Sequence, residues 1–444
     1  MVNKLEQTLS DLIIKKKEKF GTILQNPYKV GKLQSIVGTV IECIGIDATV
    51  GELFGIENID GNVIKAEAIG IKDGKALLLP FDKIVGLKEG CIVYSLGNSL
   101  TIKVGEGLMG RVLDANAQPI DGKGKIARSD QEDLYKNAPT PLEREPIRDV
   151  FNSGIRSIDA FNTIGIGQRL GLFAGSGVGK SVLMGMIAKN SSADINIIGL
   201  IGERGREVQE FVSDTLGPDG LKKSVVIAST SDTSAMSRIK AVFTATAIAE
   251  YYRDKGLNVL LMIDSITRVA MAQREIGLAT GEPPTSKGYT PSVFSLLPKL
   301  LERPGKTKKG SITALYTVLV DNDDMNEPIA DAVRSILDGH IVLSRKLAHK
   351  NHYPAIDILE SISRVMANIV TKDQRNIMMK ARSLLAIYQE AEDLINIGAY
   401  VSGSSKKIDE AVEKNEKLVS FLIQDIEEIY DQNGYWSKLE EIVS

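Results

Sequence analysis

The chain is poor in the residues that build metal and disulfide frameworks. Two cysteines, Cys43 and Cys91, and three histidines, His340, His349 and His352, occur in 444 residues. The cysteines sit in apolar, strand-like runs, VIECIGI and EGCIVYS, and read as small buried hydrophobes. The histidines have no cysteine cluster beside them, which argues against a zinc site. A basic excess is also missing: 54 Lys and Arg against 57 Asp and Glu give a net charge of −3. That balance argues against wholesale nucleic-acid binding. No apolar run approaches the roughly 20 residues of a membrane helix. The N-terminus, MVNKLEQTLSDLIIKKKEKF, lacks the apolar core and small-residue cleavage site of a signal peptide. These absences point to a cytoplasmic protein, with any membrane role peripheral.

What is present has the texture of a multidomain soluble protein, with 43% apolar and 25% charged residues. Residues 1–29 place Leu5, Leu9, Leu12, Ile13, Phe20 and Ile23 at helical spacing, broken by Lys15, Lys16 and Lys17. This amphipathic segment either packs on its own protein or docks a partner helix or an anionic surface. Over 30–105, short apolar runs alternate with turns such as IDGN and KDGK, the pattern of a small β-barrel. The stretch 106–150 begins with GLMGRVLDANAQPIDGKG, which reads as the end of the barrel, and continues as a proline-punctuated linker. It leads into a domain ending at about residue 370 in which unbroken apolar runs (INIIGLIG, SVVIAST, NVLLMID, SITALYTVLV) alternate with helical stretches. Such runs are strands covered on both faces, so the fold class is α/β with a largely parallel sheet. Residues 371–444 read as a helical domain, including a continuous helix over KKIDEAVEKNEKLVSFLIQDIEEIY.

Three stretches of the middle domain carry chemistry. GLFAGSGVGKSVLMG places Gly175, Ser176, Gly177, Val178 and Gly179 between a strand and a helix that opens Lys180, Ser181, Val182. This is the G-x-x-x-x-G-K-[ST] phosphate loop with Ala174 in the first glycine slot. Its backbone N–H groups and the helix N-terminus would cradle phosphate, Lys180 would neutralise the β- and γ-phosphates, and the Ser181 hydroxyl would coordinate Mg²⁺. A chance glycine-rich turn does not account for the Lys-Ser pair and the strand–loop–helix setting together. The apolar strand NVLLMID ends in Asp264. An Asp there either caps the next helix or holds Mg²⁺ through water, and the loop favours Mg²⁺. In IGERGREVQEF, Glu203 follows a strand and can polarise a water in line with the γ-phosphate, with Glu207 backing the Mg²⁺ shell. Arg204 and Arg206 equally suit a structural ion-pair cluster, and spacing alone leaves both readings open.

Together, GSGVGKS, GERGREVQEF and DSITRVAMAQREIG resemble the hexameric ATPases related to the F1 catalytic subunit, most closely the flagellar and type III secretion export ATPases. The resemblance runs from about residue 30 to 435 and is densest in the middle domain. It implies a RecA-like core that uses ATP with Mg²⁺. It makes Glu203 the general base, sets Lys180 and Arg204 at the γ-phosphate, and gives Ser181 and Asp264 to Mg²⁺. Arg364, in SISRV, lines up with the arginine finger that enters the neighbouring subunit's site, worth roughly 10³–10⁵ in rate. Tyr353, in HYPAID, lines up with the aromatic residue that stacks on adenine. From their residue types alone, Arg364 would be a surface salt bridge and Tyr353 ordinary packing.

Base and finger on one chain permit a homohexamer. The implied partners are a stator-like regulator on the N-terminal helix, a central stalk-like protein, export chaperones and substrates, and an export gate at the inner face of the cell membrane. Nucleic acid is not expected, since 30–105 has few aromatics and no basic clustering. A rotary synthase subunit would carry a DELSEED-like string, which is absent. A non-catalytic ring subunit would typically lack Glu203. Between the flagellar and injectisome branches, the expectation is flagellar because that branch is more widespread.

Overall fold

The structure is a computed structural model that describes residues 30–81, 84–97, 100–127, 130–320, 324–430 and 434–444. The amphipathic segment expected over 1–29 lies outside the described residues.

Strands β1 (Val30–Val37), β2 (Val40–Ile44), β3 (Leu53–Glu57), β4 (Val63–Lys72), β5 (Lys75–Pro80) and β6 (Ile92–Gly97) close into a barrel in the order β1-β2-β5-β4-β3-β6. Alternation decides what faces inward: Ile64, Ala66 and Ala68 of β4 are buried while their neighbours face out. They meet Leu33, Ile41, Phe54, Ile56, Leu78 and Val93 in one apolar core. Cys43 and Cys91 are free thiols buried in it. On the outer face of the wall Gly55 leaves room for Tyr94: a Cβ there would lie 2.8 Å from the Tyr94 ring.

After the barrel, β7 (Thr101–Val104) pairs with β9 (Asp130–Asp133), and between them β8 (Val112–Leu113) runs parallel to a strand of the central sheet. The GLMGRVL segment therefore contributes an edge strand to the central domain, where the sequence pattern suggests the end of the barrel. Leu113, fully buried, finds its apolar partners there. β10 (Val150–Phe151) and β11 (Ile164–Gly165) form a small ribbon. The central strands follow: β12 (Arg169–Ala174), β13 (Ile195–Ile201), β14 (Ser224–Ser229), β15 (Asn258–Asp264), β16 (Gly305–Lys306), β17 (Ser311–Leu319), β18 (Gly339–Leu343) and β19 (Ile356–Ser363). Their order is β19-β18-β12-β17-β15-β13-β14-β8, with β16 on β17; β16 and β19 run antiparallel and the rest are parallel.

Alternate residues of β13 enter two different cores. Ile195, Ile197 and Ile201 pack with the helices Ala235–Asp254 and Ile266–Ala279, while Ile198 and Leu200 pack with the helix Lys180–Asn190. A strand covered on both faces needs its unbroken apolar run for this reason.

The C-terminal domain joins the second core through Ala381 and Leu384 of the helix Lys372–Asn396, Leu418 and Phe421 of Lys406–Leu422, and Leu439 of Tyr435–Val443. The first of these helices starts at a capping box between Thr371 and Gln374. The second stops at Leu422, although the periodic pattern continues to Tyr430. The buried Gln424 leaves the helix to make tertiary hydrogen bonds: its side chain accepts from the Arg156 amide (2.8 Å) and donates to the Gly154 carbonyl (2.9 Å). Among the described residues, no helix is long and apolar enough to cross a membrane.

Candidate active site

The site forms where parallel strands release their chains at one edge of the sheet, the usual place for ligands in such sheets. Ala174 is the last residue of β12, in register with Leu319 and Leu343 and 1% exposed. Its carbonyl accepts from the Val320 amide at 3.0 Å. It is a strand residue with ordinary backbone dihedrals, so glycine is not needed in that slot. The left-handed conformations come later, at Gly177 (φ 77°) and Gly179 (φ 85°), where a side chain would be strained. Gly175 and Val178 are buried and anchor the loop, while Ser176 and Gly177 are exposed at its tip. Gly179 caps the helix Lys180–Asn190 with no side-chain acceptor, which leaves first-turn N–H groups for an anion. Ser181 and Val182 are exposed on that turn.

Lys180 bridges the neighbouring strand ends. Its ammonium is hydrogen-bonded to Asp264 Oδ1 and lies 3.9 Å from Glu203 Oε1. Thr317 Oγ1 also donates to Asp264 Oδ1 (2.7 Å), which fixes that carboxylate at the end of β15. Glu203 follows β13 and turns into the same crevice. Burial, and then the negative charge of Asp264, push its carboxyl up to about 7 against the pull of Lys180. A side-chain hydrogen bond between Glu203 and Glu207 adds to the rise and lowers Glu207, which Arg204 lowers further. A carboxyl poised near neutrality can take a proton from water at working pH.

The IGERGREVQEF stretch divides into surface ion pairs and a carboxyl beside the phosphate-loop lysine. Arg204 is exposed and pairs with Glu207 (2.6 Å), and Arg206 is exposed beside Glu210. Of the charged residues in the stretch, Glu203 is the one that lies against Lys180. Arg268 was not singled out from the sequence, although it ends the NVLLMIDSITR stretch. Its side chain packs against Gly202, where a Cβ would lie 2.9 Å from Arg268 Cβ, and its Nε is buried without a partner.

Tyr353 lies on the other side of the phosphate loop, its ring 3.4 Å from where a Cβ on Gly179 would be. It lines a cleft of about 480 Å³ with the loop, Val182, Met186 and Ile423–Ile426 of the C-terminal domain. Sequence reasoning missed that C-terminal wall, since no Pro or Gly marks the turn after Leu422. Arg364 is not brought to this crevice. It follows Ser363, which pairs with Gly339 at the opposite end of β18 from Leu343 and the loop. It is exposed there.

The oxygen donors suit a hard cation. Among the described residues, no cluster of three or more His, Cys, Asp or Glu could hold a metal by itself. A hydroxyl at Ser181 and a carboxylate at Asp264 beside a phosphate cradle match the partial shell of Mg²⁺, which takes its other ligands from phosphate and water.

Comparison with known proteins agrees with the three-part fold. Residues 33–97 match the β-barrel domain and 154–363 the nucleotide-binding domain of the ATP synthase alpha/beta family, and 370–441 match the T3SS EscN ATPase C-terminal domain. The flagellum-specific ATP synthase of Bacillus subtilis is 55% identical over 90% of this chain and 92% of its own length. The type 3 secretion system ATPase of Xanthomonas euvesicatoria is 48% identical over 94% of each. The assembled ATPase EscN of the enteropathogenic E. coli type III secretion system superposes with a TM-score of 0.89, at 46% identity, covering 93% of this chain and all of that one. The same ATPase in complex with its central stalk EscO gives 0.86 at 45% identity, again over 93% of this chain and all of the other. This chain belongs to the ATP synthase alpha/beta family, in the group formed by the flagellum-specific and type III secretion export ATPases.

Proposed function

We propose that the chain is the ATP-hydrolysing motor of a flagellar protein export apparatus, working as a ring of identical subunits. The observation that carries the catalytic part is the placement of the Glu203 carboxyl, 3.9 Å from the phosphate-loop lysine, where burial pushes it above the ordinary carboxylate range. Glu203 takes the proton of the attacking water and Lys180 binds the γ-phosphate; Arg204, expected beside Lys180, is exposed and paired with Glu207, so it reaches the γ-phosphate only if that pair breaks. Gly175–Gly179 and the helix N-terminus hold the phosphates, and Tyr353 stacks on the adenine. Ser181, Asp264 and Glu207 would hold Mg²⁺, partly through water, which when bound neutralises phosphate charge. Arg364 cannot serve its own crevice from the far end of β18 and acts on the neighbouring subunit's site. The relative EscN is described as assembled, and with a central stalk, which supports a ring and a stalk here. The remaining partners follow from the family: a regulator at the N-terminal segment, export chaperones and substrates, and the gate at the inner face of the cell membrane, with the chain peripheral there.

The flagellar branch is supported by the flagellum-specific relatives of Bacillus subtilis and Treponema pallidum, at 55% and 50% identity, while the other flagellum-specific relatives, at 44% to 47%, overlap the type 3 secretion relatives at 48% and 46%. Two measurements test the proposal. ATP turnover per subunit should rise with protein concentration as rings form; a constant value from monomer to ring removes the shared site. The chain should restore swimming to cells lacking their flagellum-specific ATPase. Restoration of effector secretion by an injectisome mutant, with none of swimming, would move it to the other branch.

A further inference from the structure

Arg364 rests on a polar cradle at the start of β12. Its backbone amide donates to the Asp338 carbonyl (3.0 Å), and its guanidinium reaches the Arg334 carbonyl (3.3 Å). Ser363, the residue before it, donates its hydroxyl to the Thr163 carbonyl (2.8 Å). Gln168 joins these anchors. It is fully buried, and its Nε2 donates to both the Asp338 carbonyl (3.0 Å) and Ser363 Oγ (3.1 Å). Its Oε1 accepts from the Gly165 amide (2.8 Å), so the side-chain amide uses both of its donors and its acceptor. Arg169, next in the chain, grips the Asp338 carboxylate with Nε and Nη2, each at 3.0 Å.

The topology gives this knot its meaning. Gln168 immediately precedes β12, and the other end of β12 runs into the loop Gly175–Gly179. One strand thus carries the phosphate loop of its own site and, at its opposite end, the support of the arginine offered to the next subunit. An exposed arginine has many rotamers, and fixing the main chain at 363 and 364 limits where its guanidinium can travel.

We infer that Gln168 is a positioning residue for Arg364, acting on the neighbouring subunit's reaction and not on its own nucleotide pocket. The inference rests on the reading of Arg364 as a residue that completes the next site. Misplacing a catalytic group by about 1 Å can slow a reaction on the order of 10²-fold. Buried polar knots also stabilise folds, so the test must separate effects within a subunit from effects across the interface.

The experiment uses the full chain. Gln168→Met keeps the length of the side chain and removes both donors. Rings of this variant should form and bind ATP with unchanged KM, while kcat falls roughly 10- to 100-fold. Mixed rings are then assembled from Gln168→Met and Glu203→Gln subunits. Where Glu203 of the first meets Arg364 of the second, the site is whole, so activity should exceed that of either parent. Mixed rings of Arg364→Ala and Glu203→Gln are the control. If the control fails to recover, the finger reading falls and the inference falls with it. If the control recovers and the Gln168→Met mixture does not, Gln168 acts within its own subunit and the inference alone is overturned. Wild-type kcat in Gln168→Met overturns it too. Should Gln168→Met fail to fold, Ser363→Ala, which deletes the hydroxyl Gln168 holds, goes through the same mixing with the same outcomes.

Discussion

The backbone amide of Gln424 donates to the carbonyl of Tyr353 at 3.0 Å, so the C-terminal domain is stitched to the wall of the nucleotide cleft through main chain. The Gln424 side chain continues the seam to Gly154 and the Arg156 amide, and the Arg156 guanidinium donates to the carbonyls of Phe421 and Ile423, each at 2.6 Å. While these bonds hold, residues 423–426 stay fixed to the cleft wall, so a change in the angle of the C-terminal helices must bend the chain beyond this seam or break it.

Gln424→Ala leaves the buried Arg156 amide and Gly154 carbonyl without this partner, at about 1–3 kcal/mol for each group. The melting temperature should drop by several degrees, and ATP affinity should weaken with it because the cleft loses a fixed wall. Thermal melting and nucleotide titration check both. A loss of stability with affinity unchanged would uncouple the seam from the site.

Tyr353 offers a ring face with Gly179 behind it. Aromatic stacking on a base is worth about 1–3 kcal/mol. Tyr353→Phe should therefore bind ATP like the native chain, and Tyr353→Ala should raise the dissociation constant about tenfold or more. Equal affinities for the two variants would show that the ring makes no contact with the base.

Glu203→Gln keeps the shape of the side chain and removes its basicity. Nucleotide affinity should persist while kcat falls about 10²–10⁴-fold, the usual worth of a general base. Arg364→Ala should also suppress kcat, yet melt within about 0.5 kcal/mol of the native chain because the side chain is exposed. Single-turnover hydrolysis with matched binding curves measures both, and normal turnover in Glu203→Gln removes it as the base.

The parts of the site legible in the sequence were those written in consecutive residues. Strand, loop and helix around Lys180 are contiguous, and Asp264 ends an unbroken apolar run, so spacing alone located them. Glu203 was ambiguous from spacing because its reading depends on which way it turns; the resemblance names it the base, and the fold sets it beside Lys180 while Arg204 and Arg206 are exposed. The break after Leu422 was hidden because the groups that hold Gln424, at Gly154 and Arg156, are about 270 positions away in the chain. Val112–Leu113 is too short for a periodicity to show. Arg364 could be chosen only by resemblance, since its proposed target is not in the same chain.

Asp159 gives a pH test of the seam between the central and C-terminal domains. Its carboxylate is fully buried and accepts from Ser153 Oγ (2.7 Å), the Ser153 amide (2.9 Å), the Gly154 amide (3.2 Å) and the Tyr430 hydroxyl. Those bonds favour the charged form, but burial outweighs them and pushes the group up from 3.8 to about 6. The folded chain therefore holds this proton over a pH range where the unfolded chain has released it. The stability it contributes is complete below about 4 and declines as pH rises through about 6. Asp159→Asn has no proton to exchange. The melting temperature of the native chain minus that of Asp159→Asn should shrink as pH is raised across this interval and then level off. A difference that is constant, or that grows with pH, would mean that the carboxylate stays charged in its buried site and that its four donors outweigh the burial.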